Sequence, residues 1–388
     1  MDFSLSEQQI AIQEGVRRVC ARFDDAYWTA CDDDARFPAE FHAAMAEGGW
    51  LGITMPEEVG GSALGVTEAA LMMGEVSAGG GGVAAASAVH INLFGPHAIV
   101  VHGTPEQKSR WLAPLVRGEE KACFGVTEPD AGLDTTSITT FAERVPGGYR
   151  VNGRKVWTST AQVAAKILLL ARTTSRQDSA KPTGGMTLFY TDLDRARIEV
   201  RRIRKMGRHA VDSNAVFIDD LFIPEQDRIG EEGRGFHYIL HSLNPERVLI
   251  AAESVGLGRD ALRRAANYAR ERVVFGRPIG QNQGIQHPLA ESWAYLDSAH
   301  WSCLRAGWLY DQGLPCGAEA NAAKLLAARA AFDACTRAVL THGGMGYAQE
   351  YQVERLFRES ILFRIAPVTE QLILSFIAEK VLDLPKSY

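Results

Sequence analysis

A β-rich stretch between two helical stretches constrains the fold of this chain more than any other feature. Apolar residues keep roughly helical spacing up to about residue 120 and again from residue 230 onward. Between them, short β-branched and aromatic runs are separated by turn residues. Because 388 residues exceed the size of one ordinary core, we predict three domains. These are an N-terminal helical domain (1–120), a middle β domain (121–229) and a C-terminal helical bundle (230–388).

The middle region has the size and texture of a small sandwich or barrel. Gly147 and Gly148 predict a hairpin that joins two of its strands. The polar segment Ser175–Gly185 predicts a mobile loop. The expected strands are Thr135–Phe141, Tyr149–Trp157, Lys166–Ala171, Met186–Thr191, Ile198–Ile203 and Ala215–Ile223.

The C-terminal region predicts a bundle of four or more helices. Pro245 interrupts the first helix, where a proline frees a carbonyl and kinks the axis. The expected helices are Phe236–Arg270, Gln286–Tyr310, Ala318–Leu340 and Thr369–Leu382.

The charge pattern argues against a nucleic-acid partner. There are 41 basic and 47 acidic residues, a net charge of −6, and no basic stripe. One dense basic cluster stands out, and we interpret it as a solvated loop or a contact to a ligand phosphate. Its members are Arg201, Arg202, Arg204, Lys205 and Arg208.

Cysteine usage and the N-terminal sequence suggest a cytoplasmic protein. The six cysteines form no CxxC pair and no metal-ligand spacing, so we expect free thiols and no metal site. The N-terminus carries Asp2, Glu7 and Glu14 and lacks the apolar core of a secretory signal. No apolar run approaches the roughly 20 residues that span a bilayer, so no membrane span is expected.

Two neighbouring motifs of the β region suit a planar cofactor that carries phosphates. The run FGVTEPDAGLD (124–134) places Thr127 and a tight backbone loop at the end of an apolar strand. The run NGRKVWTST (152–160) presents Trp157 and Ser159 on one face of a strand, because side chains alternate along it. A single threonine or tryptophan in a strand is usually structural, so only the two motifs together predict a cofactor site.

These motifs resemble the flavin-binding signature of the acyl-CoA dehydrogenases. The runs ERVVFGRPIGQNQGIQ (271–286) and THGGMGYAQEYQVERLFRES (341–360) fit the same family in the same order, so the resemblance spans most of the chain. It implies the acyl-CoA dehydrogenase fold, with FAD between the β domain and the C-terminal bundle of a homotetramer. It also implies an acyl-CoA substrate and an electron-transfer flavoprotein as electron acceptor.

The resemblance assigns FAD contacts to residues in every one of these motifs. It sets Trp157 against the flavin ring and Ser159 near N5. Arg272 can neutralise a pyrophosphate through a charge-assisted fork, and this part of the site comes from a neighbouring subunit in the family. The full set is Phe124, Val126, Thr127, Gly132, Trp157, Ser159, Arg272, Phe275, Gln283, Gly343, Gly344, Thr369 and Gln371.

The catalytic base implied by the resemblance is Glu246. Most members of the family place a glutamate just before the polar residues near the C-terminus, but this chain has Pro367 there. A minority, including isovaleryl- and long-chain-type members, carries it on the first long helix of the C-terminal domain, directly before an arginine. Glu246 precedes Arg247 in that position, and Asn244 is then a neighbour of the acyl-CoA.

Two other carboxylates compete with Glu246 for the role of base. Glu253 lies seven residues further on and shares its helix face. Glu370 lies on the wrong side of Thr369 in the motif. A solvated carboxylate is the usual fate of a helix glutamate, and it is the alternative for Glu246 itself.

Three positions depart from the pattern of the family. Leu133 replaces a usual serine, and Leu340 stands where a glutamine usually precedes the glycine pair. Pro367 has no N–H, although the family uses that N–H to hold the thioester oxygen. Either the N–H of Val368 takes over, the alignment slips by one residue, or the oxygen is held differently.

The acyl chain and the exact reaction stay open at the level of sequence. The small residues 84–87 leave room for a bulky or long acyl tail, or they serve tight helix packing. An FAD-dependent dehydrogenase is the favoured function. An acyl-CoA oxidase or flavin monooxygenase is the second hypothesis, and a non-catalytic flavin- or acyl-CoA-binding protein is the third. Glu246 argues against a monooxygenase, whereas Pro367 and Leu133 favour the binding protein.

Overall fold

A computed structural model describes residues 3–387, and its N-terminal third is helical. Reciprocal hydrogen bonds fix two helix starts: Ser6 with Gln9, and Thr104 with Gln107. The helices are α1 (Glu7–Cys20), α2 (Asp25–Asp33), α3 (Ala39–Glu47), α4 (Val66–Ala78), α5 (Gly82–Phe94), α6 (His97–His102) and α7 (Pro105–Val116).

The middle region is an eight-stranded sheet with the order β6-β7-β3-β2-β4-β5-β8, and β1 pairs in parallel with β4. Its two faces follow the alternation of side chains along β4 and β5. Ile167, Leu169 and Phe189 lie in the core that the strands share, whereas Leu168 and Leu188 pack beneath helices. The strands are β1 (Ala122–Gly125), β2 (Phe141–Val145), β3 (Gly148–Ser159), β4 (Lys166–Arg172), β5 (Met186–Asp192), β6 (Ile198–Arg202), β7 (Ser213–Pro224) and β8 (Arg228–Ile229).

The C-terminal region is helical, and its first helix occupies the centre of the molecule. This helix, α8, packs against α4, α5 and the β5 strand as well as its own bundle, so it connects the three regions. The remaining elements are α8 (Gly235–Glu271), β9 (Val273–Val274), β10 (Arg277–Pro278), α9 (Gln283–Asp311), α10 (Gly317–His342), α11 (Val353–Ser360), α12 (Leu362–Ile365) and α13 (Glu370–Lys380).

The structure corrects one expectation about secondary structure. The expected strand Thr135–Phe141 is wrong over most of its length, because Thr135–Ser137 is a 3₁₀ turn and β2 begins at Phe141. The Asp134 side chain accepts a hydrogen bond from the backbone N–H of Thr136, which favours a turn over a strand. Pro245 lies inside α8, which runs on to Glu271, in agreement with the predicted helix Phe236–Arg270.

Two segments are long and apolar enough to cross a membrane by length and composition alone, contrary to the expectation from the sequence. Gly82–His102 is 83% buried inside the fold, like the core helix of a globular protein. Val353–Lys380 is 22% buried, and it is divided among α11, α12 and α13. Both are therefore weak indications of a membrane span. All six cysteines are buried and unpaired.

Candidate active site

Glu246 lies on the buried face of α8, and its carboxyl has no hydrogen-bond partner among the residues that the structure describes. Only 6% of the residue is exposed. Within residues 3–387 no hydrogen bond or ion pair reaches its side chain. Burial raises the pKa of Glu246 to about 7, although the charges of His90, Arg247 and Lys324 act in the opposite direction. The structure thus places a buried carboxyl that changes its protonation near neutral pH.

One face of α5 forms a wall beside this carboxyl. Ser87, His90 and Phe94 follow each other at helical spacing on that face. The His90 Nδ1 atom lies 2.5 Å from Glu253 Oε1. Burial lowers the pKa of His90, but the Glu253 carboxylate outweighs it and the pKa is raised overall. His90 and Glu253 therefore form a buried hydrogen-bonded pair next to Glu246.

These contacts separate Glu246 from its two rivals. Glu253 is held by His90, which lies within hydrogen-bonding distance of its Oε1 atom. Glu370 accepts from Arg364 at 2.7 Å and from Arg329 at 3.3 Å. The hydrogen bond from Arg364 lowers the pKa of Glu370. Among the three carboxylates, Glu246 alone combines burial with an unengaged carboxyl.

The two neighbours assigned to the acyl-CoA lie together on the same helix. Arg247 Nη1 donates to Asn244 Oδ1 at 3.0 Å. The Nε of Arg247 is buried and has no acceptor among the described residues. Burial lowers the pKa of this guanidinium. Arg247 therefore keeps an unused donor at the site.

The segment around Pro367 offers one backbone donor. Lys324 of α10 is fully buried and donates to the Val368 carbonyl at 2.6 Å, and burial lowers the pKa of Lys324 to about 8. The Val368 N–H has no acceptor within the part of the chain that the structure describes. Pro367 itself is exposed and has no N–H. Lys324 thus fixes the orientation of the Val368 carbonyl, and the N–H of Val368 stays available for a ligand.

A buried ion pair anchors the Thr127 loop. Lys155 Nζ lies 2.9 Å from Glu128 Oε1 and also donates to the Val126 carbonyl at 3.1 Å. Glu128 accepts three further hydrogen bonds from Thr139 and Thr140, at 2.7 to 3.0 Å. Burial would raise the pKa of Glu128, but Lys155 and these donors lower it to about 2. These buried contacts therefore fix the position of the Thr127 loop.

The residues assigned to the flavin ring lie next to this loop. Val156 N–H donates to the Thr127 carbonyl at 2.9 Å, which brings the two motifs together. Trp157 is 58% exposed and has a left-handed backbone (φ 60°), where the β3–β7 register shifts. Phe124 lies close by, with its ring centroid 5.1 Å from that of Phe94. A large exposed indole at a strand irregularity fits a planar ligand.

Three glycines of the predicted set leave open space. A Cβ added to Gly132, Gly343 or Gly344 would meet no atom within 4 Å. Such positions let a ligand approach the backbone closely. Together with the exposed indole of Trp157, these open backbone surfaces fit the large planar, phosphate-bearing group that the sequence predicts.

The remaining predicted cofactor residues lie apart from the Thr127 loop or already have structural contacts. Arg272, Phe275 and Gln283 are exposed where α8 turns into α9, and Phe275 is 101% exposed with φ 50°. Thr369 caps α13 by accepting from Leu372 N–H, and Gln371 is exposed in the first turn. The structure does not bring these residues to the Thr127 loop by any described contact.

No sequence motif pointed to His90, Lys324 or the placement of Arg208. His90 is the one histidine of the apolar helix α5, which is a usable signal, whereas Lys324 is one of several charged residues on the alanine-rich helix α10. Of the two interpretations of the basic cluster, the solvated loop is wrong for Arg208, because its side chain is half-buried and its guanidinium is bonded to Ser87, Ser159 and Ser213.

Comparisons with known proteins agree with this architecture. Family models for acyl-CoA dehydrogenases match residues 6–119 (N-terminal domain), 123–221 (middle domain) and 233–382 (C-terminal domain). Acyl-CoA dehydrogenase FadE12 of Mycobacterium tuberculosis is 33% identical over 100% of this chain and 99% of its own length. Benzylmalonyl-CoA dehydrogenase of Aromatoleum aromaticum is 37% identical over 98% of this chain and its full length.

A solved relative has the same fold. The glutaryl-CoA complex of glutaryl-coenzyme A dehydrogenase superposes with a TM-score of 0.94 at 27% identity, covering 100% of this chain and 98% of the other. The chain therefore belongs to the acyl-CoA dehydrogenase family, whose members are FAD-dependent. The predicted three-part fold, the enzyme class and the cofactor are confirmed.

Proposed function

We propose that this protein oxidises an acyl-CoA thioester to the trans-2-enoyl-CoA, with Glu246 as the base that removes the α-proton. The observation that carries the proposal is the buried, unengaged carboxyl of Glu246, whose pKa is raised to about 7. A general base works best when its pKa lies near the working pH. Glu253 and Glu370 lack this freedom, because Glu253 is bonded to His90 and Glu370 is paired with Arg364.

The residues assigned to FAD would hold it against the β domain. Thr127, Trp157 and Ser159 would contact the ring, and the open backbone of Gly132, Gly343 and Gly344 would admit the rest of the cofactor. Bound FAD supplies the acceptor, at N5, for the hydride that leaves the β-carbon. Arg272, Phe275 and Gln283 would complete the site from a second subunit, since their turn is exposed.

The thioester oxygen gains charge when the α-proton leaves and needs a donor. The free N–H of Val368 is the donor that we assign, because Lys324 already binds the carbonyl of the same residue. Loss of one such donor typically costs about a hundredfold in rate or more. Arg247, with its unused Nε, would orient the acyl-CoA beside Asn244.

The biological setting follows from the same assignment. We propose a cytoplasmic homotetramer with domains 1–120, 121–229 and 230–388, which passes its electrons to an electron-transfer flavoprotein. The similar proteins carry names with different acyl groups, benzylmalonyl and glutaryl among them. The comparisons therefore support the thioester class rather than one acyl chain.

An anaerobic titration tests the reaction directly. The purified FAD-loaded protein is titrated with acyl-CoAs of increasing length, and the flavin absorbance is followed. Bleaching with at least one thioester is expected, with the enoyl-CoA recovered in equal amount. Admission of air then measures oxygen reactivity: slow recovery of the absorbance indicates a dehydrogenase, and fast recovery an oxidase. A flavin that no thioester bleaches would refute the proposal in favour of a binding protein or monooxygenase.

A further inference from the structure

A half-buried arginine next to the active site, Arg208, has hydrogen bonds from its guanidinium only to neutral groups. Arg208 lies in the loop between β6 and β7, with its backbone in the left-handed region at φ 58°. Its guanidinium donates to the hydroxyls of Ser87 and Ser159, each at 3.1 Å, and to Ser213 at 2.7 Å. Within residues 3–387 it forms no ion pair. A buried guanidinium usually takes a carboxylate in a forked pair.

The charge of Arg208 is therefore left without a direct counterion. Burial lowers its pKa, and Glu359, Asp212 and Glu253 oppose this only from beyond ion-pair distance. Its Nε–H is buried and has no acceptor among the described residues. A desolvated cation without a partner is costly. Such a cost is expected where a ligand supplies the missing partner.

The two arginines with the least exposed side chains, Arg172 and Arg355, have an acceptor on every guanidinium nitrogen. Arg172 donates to the carbonyls of Ile138, Gly184 and Pro182, with a further bond from Nη2 to Thr136 at 2.5 Å. Every nitrogen of that guanidinium has an acceptor. The fold can therefore satisfy a buried arginine with its own groups, and it does not do so at Arg208.

The three hydroxyls around Arg208 also have unused hydrogen-bonding capacity. Each accepts a hydrogen bond from the guanidinium, so each retains its own O–H as a donor. The hydroxyl protons of these three serines have no acceptor in the part of the chain that the structure describes. Ser213 is buried, whereas Ser87 and Ser159 are half-buried. The cluster offers several donors and one positive charge, which is the chemistry of an anion receptor.

The cluster adjoins the face of α5 that flanks Glu246. Ser87 is one turn before His90 on α5, and His90 interacts electrostatically with both Glu246 and Arg208. The same wall contains the buried pair of His90 and Glu253. A plain alkyl tail would cover these polar groups without bonding to them, which is unfavourable. A polar, negatively charged acyl group suits this wall better.

We propose that Arg208 and Ser87 bind a second carboxylate on the acyl group, so that the substrate is the CoA monothioester of a dicarboxylic acid. This inference rests on the proposed function, because it needs a thioester beside Glu246. The carboxylate bonds to the guanidinium and to the free hydroxyl proton of Ser87, and it supplies the counterion that the fold leaves out.

Binding of matched ligand pairs tests the inference. FAD-loaded Glu246→Gln protein is titrated by calorimetry under nitrogen with succinyl- against butyryl-CoA, glutaryl- against valeryl-CoA, and adipyl- against hexanoyl-CoA. Within a pair the chain length is equal and the end is a carboxylate or a methyl. For at least one length the carboxylate ligand is expected to bind about ten- to a hundredfold more tightly, the range for hydrogen bonds to charged groups.

Variants then assign the preference to the receptor. Adding Arg208→Gln should reduce the affinity ratio to about one, Arg208→Lys should keep part of it, and Ser87→Ala should lower it. Free CoA, the control ligand, should bind equally to all. Methyl ligands that bind as tightly at every length, or a ratio unchanged by Arg208→Gln, overturn the inference. If the methyl-ended thioesters bleach the wild-type flavin, the proposed function survives that result. If no thioester binds or bleaches, both fail.

Discussion

Two buried charged sites in this protein differ in how completely the fold satisfies them. At the Thr127 loop, Lys155 and Glu128 pair at 2.9 Å, and Glu128 accepts three further hydrogen bonds. Near the centre of the molecule, Glu246 has no hydrogen-bond partner among residues 3–387, and the guanidinium of Arg208 has only hydroxyls. Both sites bear the cost of taking charge out of water. Only the first recovers that cost from its own residues.

The difference indicates which site acts on a ligand. A fully satisfied pair fixes a backbone segment and has no unused donor or acceptor. An unsatisfied group keeps its capacity to bind or to exchange a proton, and the fold must bear the energetic cost. The hydrogen-bond partners of a buried charge therefore separate anchoring from chemistry, whereas burial alone does not.

The largest expected effect comes from replacing Glu246. Glu246→Gln removes the base and keeps the shape, so the rate of anaerobic flavin reduction should fall by about 10⁴-fold, the upper range for general-base catalysis. FAD content and acyl-CoA affinity should stay close to wild type. Glu370→Gln is the control, because that carboxylate is already paired. Reduction at near wild-type rate by Glu246→Gln would assign the base elsewhere.

Breaking the buried pair of Lys155 and Glu128 should lower the stability of the protein. Glu128→Ala leaves Lys155 buried without its counterion, and such losses cost about 3–5 kcal/mol. The free energy of unfolding from urea titrations at pH 7 measures the effect. Glu119→Ala, which breaks the exposed pair with Arg117, is the control and should leave the free energy of unfolding almost unchanged, because solvent screens an exposed pair. Equal losses in the two variants would show that burial of the pair is unimportant.

Replacing Glu246 should change the stability of the protein in the opposite direction. The pKa of Glu246 is raised from 4.5 to about 7, so its burial destabilises the folded state increasingly as the pH rises through this range. Glu246→Gln should therefore stabilise the protein at pH 8 by up to about 3 kcal/mol, and should change little at pH 4.5. Thermal unfolding at both pH values provides the measurement. A variant less stable at pH 8 would contradict the raised pKa.

The titration of Glu246 should also appear in the pH dependence of kcat/KM. The base acts as the carboxylate, so kcat/KM should fall about tenfold for each pH unit below the pKa of about 7. Steady-state rates between pH 5 and 9, with an artificial electron acceptor, give the profile. A flat profile down to pH 5 would mean that the base ionises well below 7.

Much of the architecture was predictable because periodicity is a local property of the sequence. The long helices and most strands lie within a few residues of their predicted bounds. Thr135–Phe141 failed because its β-branched composition was outweighed by the turn that the Asp134 side chain favours. In such cases the side-chain hydrogen bond, rather than propensity, decides the local structure.

The site was predictable only where a motif carried it. Glu246 came from its place before Arg247, and its burial agrees with that prediction. The pairing of His90 with Glu253 joins residues 163 positions apart, and Arg208 meets Ser87 across 121 positions. Contacts of this length depend on how α5, α8 and the β6–β7 loop pack. No local pattern specifies them.

The anchor at Lys155 has a consequence for assembly of the holoprotein. Its contacts shape the Thr127 loop entirely from the protein side, through Glu128, Thr139 and Thr140. The cradle is thus preorganised, and a dinucleotide that docks there spends little of its binding energy on ordering the chain. Protein stripped of its yellow colour should keep this cradle intact and recover the colour on simple mixing.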